Sequence, residues 1–400
     1  MTAPLRALFG PARRARAAAA QPGARRVVLG RRFRRGARAR GLPLLLCAAI
    51  AWLVFVVLHR VLSGQVWWWQ APELLPPLAL AAVPVALLAA ALAGARRGAV
   101  AAARRTHRVT VAAALISLTL GASGSGLNLA WLWHPTTPAP PGAIKLFSWN
   151  TWYWDQPATT TLPPPTGTPP QDVTAFYRHL HAQDADVLLL QEYVYFGAGH
   201  HPIRVNDLDR LRREFPGHHL ATAGEMVTLS RYPIVQQHAI EAKDAHVPPG
   251  STWPAFHTTK TLRTDLRIAG RTVSFYNTHI NSPLGSGALN RAQHEDREAN
   301  LRALAADIRA NPLPAVLAGD FNASPAMGLL RLVPERMTDA TPALRSLYPA
   351  TWDERRLLLS LWRIDWAYTT PEIAVHEYRL VRSDGLSDHS GQRLVLSLTR

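Results

Sequence analysis

Eight positions in the last two-thirds of this sequence carry side chains that could serve a single hydrolytic reaction: Asn150, Glu192, His279, Asp320, Asn322, Asp365, Asp388 and His389. Glu192, Asp388 and Asn150 offer hard oxygen ligands, which suit Mg²⁺ or Mn²⁺ and leave coordination positions open for water and a phosphate. His279 and His389 can donate to non-bridging phosphate oxygens or to a departing oxygen. Asp320 can accept a proton from an attacking water that Asn322 orients. Asp365 is of the type that holds an imidazole, here His389, in one tautomer and stabilises its charged form. Such a set would support metal-assisted, in-line attack of water on phosphorus.

Each of these residues lies where an apolar run stops or starts. Asn150 ends AIKLFSWN, Glu192 follows DVLLLQ, Asn277-Thr278-His279 closes RTVSFYNTH, and Asp320 and Asn322 fall in the GDFN that ends PAVLAGD. Asp365 sits in RIDWAYT, and Ser387-Asp388-His389-Ser390 precedes QRLVLSL. These runs, with EMVTLS, TLRTDLRI and AVHEYRLV, have strand character. TLRTDLRI and RTVSFYNTH, separated by Ala269 and Gly270, form a hairpin, while Val173 to Gln183 and Asn290 to Arg309 look helical. The mixed order excludes a simple alternating parallel sheet. It fits a sandwich of sheets covered by helices, with polar strand ends converging at one edge.

The chain before this domain has a different composition. From Met1 to Arg108 there are 18 Lys and Arg against one acid, Glu73, whereas the remainder holds 26 bases and 26 acids. The net charge of +17 thus belongs to the first quarter, and the downstream domain is neutral. A basic whole-chain balance therefore gives no nucleic-acid signal for that domain. Three segments are long and apolar enough to cross a bilayer: Leu42 to Leu62, Leu74 to Ala95 and Val109 to Trp133, about 42–62, 74–95 and 109–133. Twelve arginines precede the first, and Arg96, Arg97, Arg104, Arg105 and Arg108 link the second to the third. Both basic stretches belong on the cytoplasmic side. Trp67, Trp68 and Trp69 suit the opposite interface. The expected organisation is a disordered tail, residues 1–41, a three-helix anchor, 42–133, a Pro-rich linker, 134–143, and an extracytoplasmic domain, 144–400.

Other polar residues have simpler readings. His200, His201, His218, His219, His238, His246 and His376 are surface or core histidines without a role, and no carboxylates stand at ligand spacing to make the His pairs a zinc site. Asp207, Asp209 and Arg210 to Arg213 form a solvated helix face. Arg231 and Lys260 could touch an anionic substrate, but the surface reading is preferred for both. The GASGSG run from Gly121 to Gly126 suits a helix-packing face. Pro157 to Pro170 is a surface loop. A single cysteine, Cys47, excludes an intrachain disulfide framework.

Taken in order, SWNTW, LLLQE, LSRYP, NTHI, GDFN, RIDW and SDHSG resemble the signature segments of the endonuclease/exonuclease/phosphatase superfamily. The resemblance runs from about Ile144 to Thr399. It implies an α+β fold, a four-layered αββα sandwich, here preceded by three transmembrane helices. It further implies metal binding by Asn150 and Glu192 with Asp388 near the metal, activation and orientation of the nucleophile by Asp320 and Asn322, and His279 and His389 flanking the phosphoryl group with Asp365 behind His389. GEMVTLSRYP departs from the more apolar run of many relatives. No acid is assigned to orient His279; Glu225 is the candidate.

Fold and centre together suit monoesters, diesters and pyrophosphates alike. An outward-facing site tethered at the bilayer is placed to meet lipid-linked phosphates at high effective concentration. The arrangement also resembles the actinomycete membrane proteins of this superfamily associated with teicoplanin resistance, which implies a polyprenyl pyrophosphate as substrate. An extracellular nuclease is the alternative, disfavoured by the domain's neutral charge. A non-catalytic phosphate-binding module is the third.

Overall fold

The computed structural model describes residues 25–95, 101–135, 137–155, 172–197, 201–284, 289–355 and 360–399. The first helix, α1 (Arg25–Leu62), reaches back into the arginine-rich segment expected to be a disordered tail, of which residues 1–24 lie outside the described residues. The loop expected at Pro157 to Pro170 also lies outside them. After α1 come a short α2 (Gln70–Glu73), α3 (Ala79–Ala95) and α4 (Ala101–Gly121).

The expectation of three transmembrane helices is corrected here. Among the described residues one helix, Pro43–Leu62, is long and apolar enough to cross a membrane. The second segment is helical only from Ala79, because Pro76 and Pro77 lack the N–H a helix interior needs and serve as its first turn, their carbonyls accepting from Ala79 and Leu80 at 2.9 and 3.0 Å. The third ends as a helix at Gly121, well before Trp133, and its helix starts at Ala101, so that its first turns carry Arg104, Arg105 and Arg108. Gly121 stops there against α3: a Cβ on it would lie 2.8 Å from the Leu80 carbonyl oxygen. GASGSG thus permits close helix packing and at the same time ends the helix.

The end of α1, the start of α3 and the end of α4 all abut the following domain. His59 Nε2 lies 2.9 Å from the Ala326 carbonyl oxygen, and the Gly328 N–H donates to Ser63 Oγ at 2.7 Å. Glu73, the single acid of the first quarter, is buried and accepts from Ser63 Oγ and the Gly64 N–H, both at 2.7 Å.

The domain contains β1 (Ile144–Asn150), β2 (Val187–Gln191), β3 (Val194–Phe196), β4 (Pro202–Arg204), β5 (His219–Ala223), β6 (Met226–Ser230), β7 (Ile234–Glu241), β8 (Thr259–Ile268), β9 (Arg271–His279), β10 (Ala315–Asp320), β11 (Thr338–Asp339), β12 (Asp365–Thr369), β13 (Ile373–Val381) and β14 (Gly391–Leu398). Helices α5 (Val173–Ala182), α6 (Leu208–Glu214), α7 (Pro254–Thr258) and α8 (Arg291–Ala310) complete it. Strands β3, β4, β5, β7 and β11 escape sequence patterning because they are short or largely exposed, as IVQQHAIE of β7 illustrates.

Two six-stranded sheets, ordered β13-β14-β1-β2-β6-β5 and β11-β12-β10-β9-β8-β7, pack face to face. Period-two alternation produces the layering. Ile144 and Leu146 of β1 join Leu266, Phe275 and Val316 between the sheets, whereas Phe147 and Trp149 point outward to Phe176 and Leu180 of α5. On the other sheet Val316 and Ala318 face inward, and Ala315 and Leu317 meet Leu301, Leu304 and Ile308 of α8. Three apolar cores therefore separate four layers, helix, sheet, sheet and helix.

Candidate active site

Topology brings the polar strand ends together. β1 and β2 are parallel with Asn150 beside Gln191, so Asn150 and Glu192 emerge side by side. β9 and β10 are likewise parallel, with His279 directly opposite Asp320. Each parallel pair requires a crossover, supplied by α5 and α8. The antiparallel neighbours contribute their first residues to the same edge. Asp365 opens β12 opposite Asp320, and Asp388 and His389 precede β14, whose Gln392 pairs with Ser148. Beneath this edge Gln191 Nε2 donates to Asn277 Oδ1 at 2.7 Å, and Asn277 Nδ2 donates to the Leu190 and Val227 carbonyls at 3.0 and 2.9 Å. Those two strand-end amides tie the sheets together and leave the chemistry to their neighbours.

All eight expected residues converge. Asn150 Nδ2 donates to Glu192 Oε1 and to Asp320 Oδ2, each at 3.0 Å, and its Oδ1 accepts the Trp152 N–H at 3.0 Å. Asp320 Oδ1 accepts the Asn322 N–H at 2.7 Å, and Oδ2 accepts Asn322 Nδ2 at 3.0 Å. His279 Nε2 and His389 Nε2 stand 3.6 and 3.7 Å from Asp320 Oδ2. His389 Nδ1 is 2.9 Å from Asp365 Oδ2. Asp388 Oδ2 accepts Trp352 Nε1 at 3.0 Å, while Asp388 Oδ1 is buried with no hydrogen-bond partner.

Left-handed backbone accompanies the chemistry. Trp152, Tyr153, Glu192 and Asn322 have φ of 54°, 68°, 61° and 49°. Each such non-glycine conformation costs on the order of 1–3 kcal/mol and persists where surrounding contacts over-determine it. For Glu192 one such contact is the Tyr153 N–H, donating to Oε2 at 2.9 Å. Gly319 has φ 147°, and a Cβ there would collide with the Thr278 carbonyl, so the glycine of GDFN is what lets β10 lie against β9 at this point.

The acid behind His279, left open by the sequence, is Glu225, whose Oε1 is 3.1 Å from His279 Nδ1. Glu225 directly precedes β6, antiparallel to β2, so it reaches the same edge by the rule that places Asp365. Lys260 is buried and ion-paired with Glu225, which corrects its reading as a surface cation. Arg231 does lie at the surface, bound to Asp184 and Asp186. His246, assigned no role, lines the active-site cavity.

Electrostatics divides the carboxylates. Burial pushes Glu192 up to about 7, with Glu225 and Asp388 adding to the effect and His279 opposing it. Burial also acts to raise Glu225, but Lys260 and His279 outweigh it and hold the group at about 2. Burial raises Asp320 against the opposing charge of His389. Burial disfavours a charged His279 or His389, yet Glu225 raises the first, and Asp365 followed by Asp320 raises the second. Glu225 and Asp365 thus favour the imidazolium form of their respective rings.

Two groups could hold a cation. Asp320, Asp365 and His389 have ligand atoms within 4.8 Å of one another, but His389 Nδ1 and Asp365 already satisfy each other. Glu192 and Asp388 fit a hard divalent ion better: burial disfavours the charged form of the first, a cost that a bound cation would offset, and the second keeps a buried oxygen without a partner. Around them lies a cavity of about 590 Å³ walled by Trp152, Tyr153, Phe196 and Phe256 on one side and by Gln293 and Asp296 of α8 on the other.

A family model described as Endonuclease/Exonuclease/phosphatase family matches residues 147–389. Similar solved structures include an endonuclease/exonuclease/phosphatase from Bacteroides vulgatus, 17% identical with a TM-score of 0.47, covering 64% of this chain and 99% of that one. The human Nocturnin catalytic domain with bound sulfate anion is 14% identical with a TM-score of 0.46, over 66% and 97%. Sphingomyelinase C from Streptomyces griseocarneus is 17% identical with a TM-score of 0.43, over 65% and 99%. No curated protein sequence matches the chain.

Proposed function

The chain belongs to the endonuclease/exonuclease/phosphatase family, whose members are generally hydrolases of phosphoester bonds, and from that premise we propose a membrane-anchored, Mg²⁺- or Mn²⁺-dependent phosphoesterase acting on a lipid-linked or cell-envelope phosphate or pyrophosphate. The observation that carries the lipid-linked reading is a contact between anchor and active-site rim. Gln70 Nε2 lies 2.9 Å from His294 Nδ1 on α8, the helix whose Gln293 and Asp296 wall the active-site cavity. Trp67 and Trp68, just before Gln70, are exposed, as suits a membrane interface. Together these support a cavity mouth close to the headgroups.

Membrane insertion has further support. Only 17% of the apolar window of α1 is buried by protein, unlike the core helix of a soluble fold. α3 and α4 pack beside α1 and leave Val85, Leu92, Leu115 and Ile116 exposed. We read them as shorter companions of the spanning helix. An amino terminus on the cytoplasmic side then places the catalytic domain outside, in the arrangement of the teicoplanin-resistance membrane proteins.

The reaction follows from the site. Asp320, raised by burial, is a stronger base than an ordinary carboxylate and takes the proton of the attacking water, while Asn150 and Asn322 fix the Asp320 carboxylate. The water oxygen bonds to phosphorus as the opposite P–O bond breaks. The departing oxygen takes a proton from His389 or His279, and the other imidazolium donates to a non-bridging oxygen. Asp365 and Glu225 favour the charged form of the two rings. Glu192 and Asp388, with Asn150 Oδ1 as a further ligand, would hold the divalent cation, which when bound would supply positive charge for the phosphoryl oxygens.

The test is a parallel assay of detergent-purified protein with Mg²⁺ or Mn²⁺ on a polyprenyl pyrophosphate, a phospholipid panel, and single- and double-stranded nucleic acid. Release of phosphate from lipid without nucleic-acid cleavage is expected. Cleavage of nucleic acid alone would establish the extracellular nuclease, and binding without turnover the phosphate-binding module. Alkaline phosphatase fused after Trp133 should be active; an inactive fusion overturns the topology.

A further inference from the structure

The loop after β10 carries Asn322 into the active site and, farther along, Pro325, Ala326 and Met327 into the wall of a second cavity of about 360 Å³. That cavity lies where the ends of α1 and α4 and the start of α3 meet the catalytic domain. Its charged groups are Arg60, Arg331 and Arg363 against a single carboxylate, Asp339. Arg60 spends one N–H on the Leu120 carbonyl at 2.8 Å, and Arg331 one on the Arg60 carbonyl at 3.0 Å. Among the described residues neither of these two is ion-paired. Arg363 lies 3.7 Å over the Trp366 ring with Nη2 3.6 Å from Asp339, and its Nε is buried without a hydrogen-bond partner. Apolar walls from Val56, Leu80 and Leu120 complete the cavity.

We propose that this cavity binds the phosphate of an anionic membrane phospholipid. Guanidinium groups match phosphate oxygens in charge and in donor geometry. Basic pockets between membrane helices at the interface recognise anionic headgroups in this way. The lipid, rather than free phosphate, is the occupant because the cavity wall includes Val56 of α1, the helix on which Val57 and Val61 are exposed and acyl chains would lie. Arg60 belongs to the last turn of that helix, at the depth where a headgroup resides. The site is separate from the reaction centre, and it rests on the membrane-anchored reading above.

Native mass spectrometry of the full chain in mild detergent, with phosphatidylglycerol or phosphatidylcholine added, tests the inference. Phosphatidylglycerol should be retained in preference, and the doubly substituted Arg60→Gln/Arg331→Gln protein should lose about thirtyfold in its apparent affinity, as the removal of two headgroup cations predicts. Arg302→Gln, an exposed change on α8, should leave retention unaltered. Arg331→Gln alone, at an exposed position, gives the same readout if the double variant is not monodisperse. Equal retention of both lipids, or unchanged retention in these variants, overturns the site. Displacement of the lipid by millimolar inorganic phosphate would make it a free-anion site and overturn the lipid assignment. A chain released from membranes by alkaline carbonate defeats the anchor itself, whereas a chain that stays but does not distinguish the lipids defeats only this inference.

Discussion

Glu225 and His279, 54 residues apart in sequence, meet with Oε1 3.1 Å from Nδ1, and the same carboxylate holds the buried ammonium of Lys260. One acid thus serves two cations. The effect on His279 parallels that of Asp365 on His389, so the site has two imidazoles, each backed by its own carboxylate.

Replacing that acid should uncouple the pair. In Glu225→Gln the main influence raising His279 is lost, so its pKa falls, and the alkaline limb of the rate profile, where the required imidazolium is lost, moves to lower pH. Activity should fall by roughly 10²–10⁴-fold. Stability should fall by about 3–5 kcal/mol, because Lys260 is left buried and unpaired. In the parent, Glu225 is held at about 2, so its stabilisation is complete above the ordinary value of 4.5 and is lost as pH falls towards 2. NMR titration of His279 with denaturant melts reads both effects; an unmoved His279 titration would falsify the pairing.

Asp320→Asn removes the base, leaving one oxygen to accept from Asn150 and Asn322 Nδ2 while the new NH2 no longer accepts the Asn322 N–H, and His389→Ala removes the donor. Each should lower kcat by on the order of 10²–10⁴-fold with the fold intact by circular dichroism. Retained turnover in either variant would exclude the assigned role. Asp365→Asn should act through His389 alone, lowering the pH at which its imidazolium is lost.

Metal affinity should depend on pH through Glu192. With its pKa near 7, a proton competes with the ion below neutrality, so the dissociation constant for Mn²⁺ should rise about tenfold per pH unit between 7 and 5, with proton release on binding. Calorimetric titration at several pH values measures it. A flat profile would argue that Glu192 is not a ligand.

Arg297 links anchor and centre. This fully buried side chain donates Nη2 to the Asn322 carbonyl at 2.8 Å, and burial pushes it down to about 10, with Glu73 of the anchor and then Asp320 opposing. Arg297→Met should cut kcat about 10–100-fold by loosening Asn322, with KM little changed. Its melting temperature should stay near that of the parent, since removing a buried charge without close ion pairing forfeits little stability. Equal losses in kcat and stability would instead mark a purely structural residue.

Much of the site is legible in the chain because its residues interrupt apolar runs at strand boundaries, as Asn150, Glu192, His279 and Asp320 do. Asp365 and Asp388 are visible for the same reason. Lys260 and Arg297 are not, since a buried, paired cation has the same local pattern as a surface one. The weaker strands are hidden too: β7 exposes most of its side chains and has no apolar run to announce it.

Sequence alone determined the donor types, the partition of positive charge into the first quarter and the apolar periodicities that build four layers, because each is a property of composition or local spacing. Only the tertiary structure decided that Glu225 serves His279, that Lys260 is buried, and that the third apolar segment ends as a helix at Gly121 against Leu80. Those facts depend on strand register and helix contact between distant residues. Asn150 and Asp320, 170 positions apart, share a hydrogen bond only because two sheets stack with their parallel strand ends at one edge.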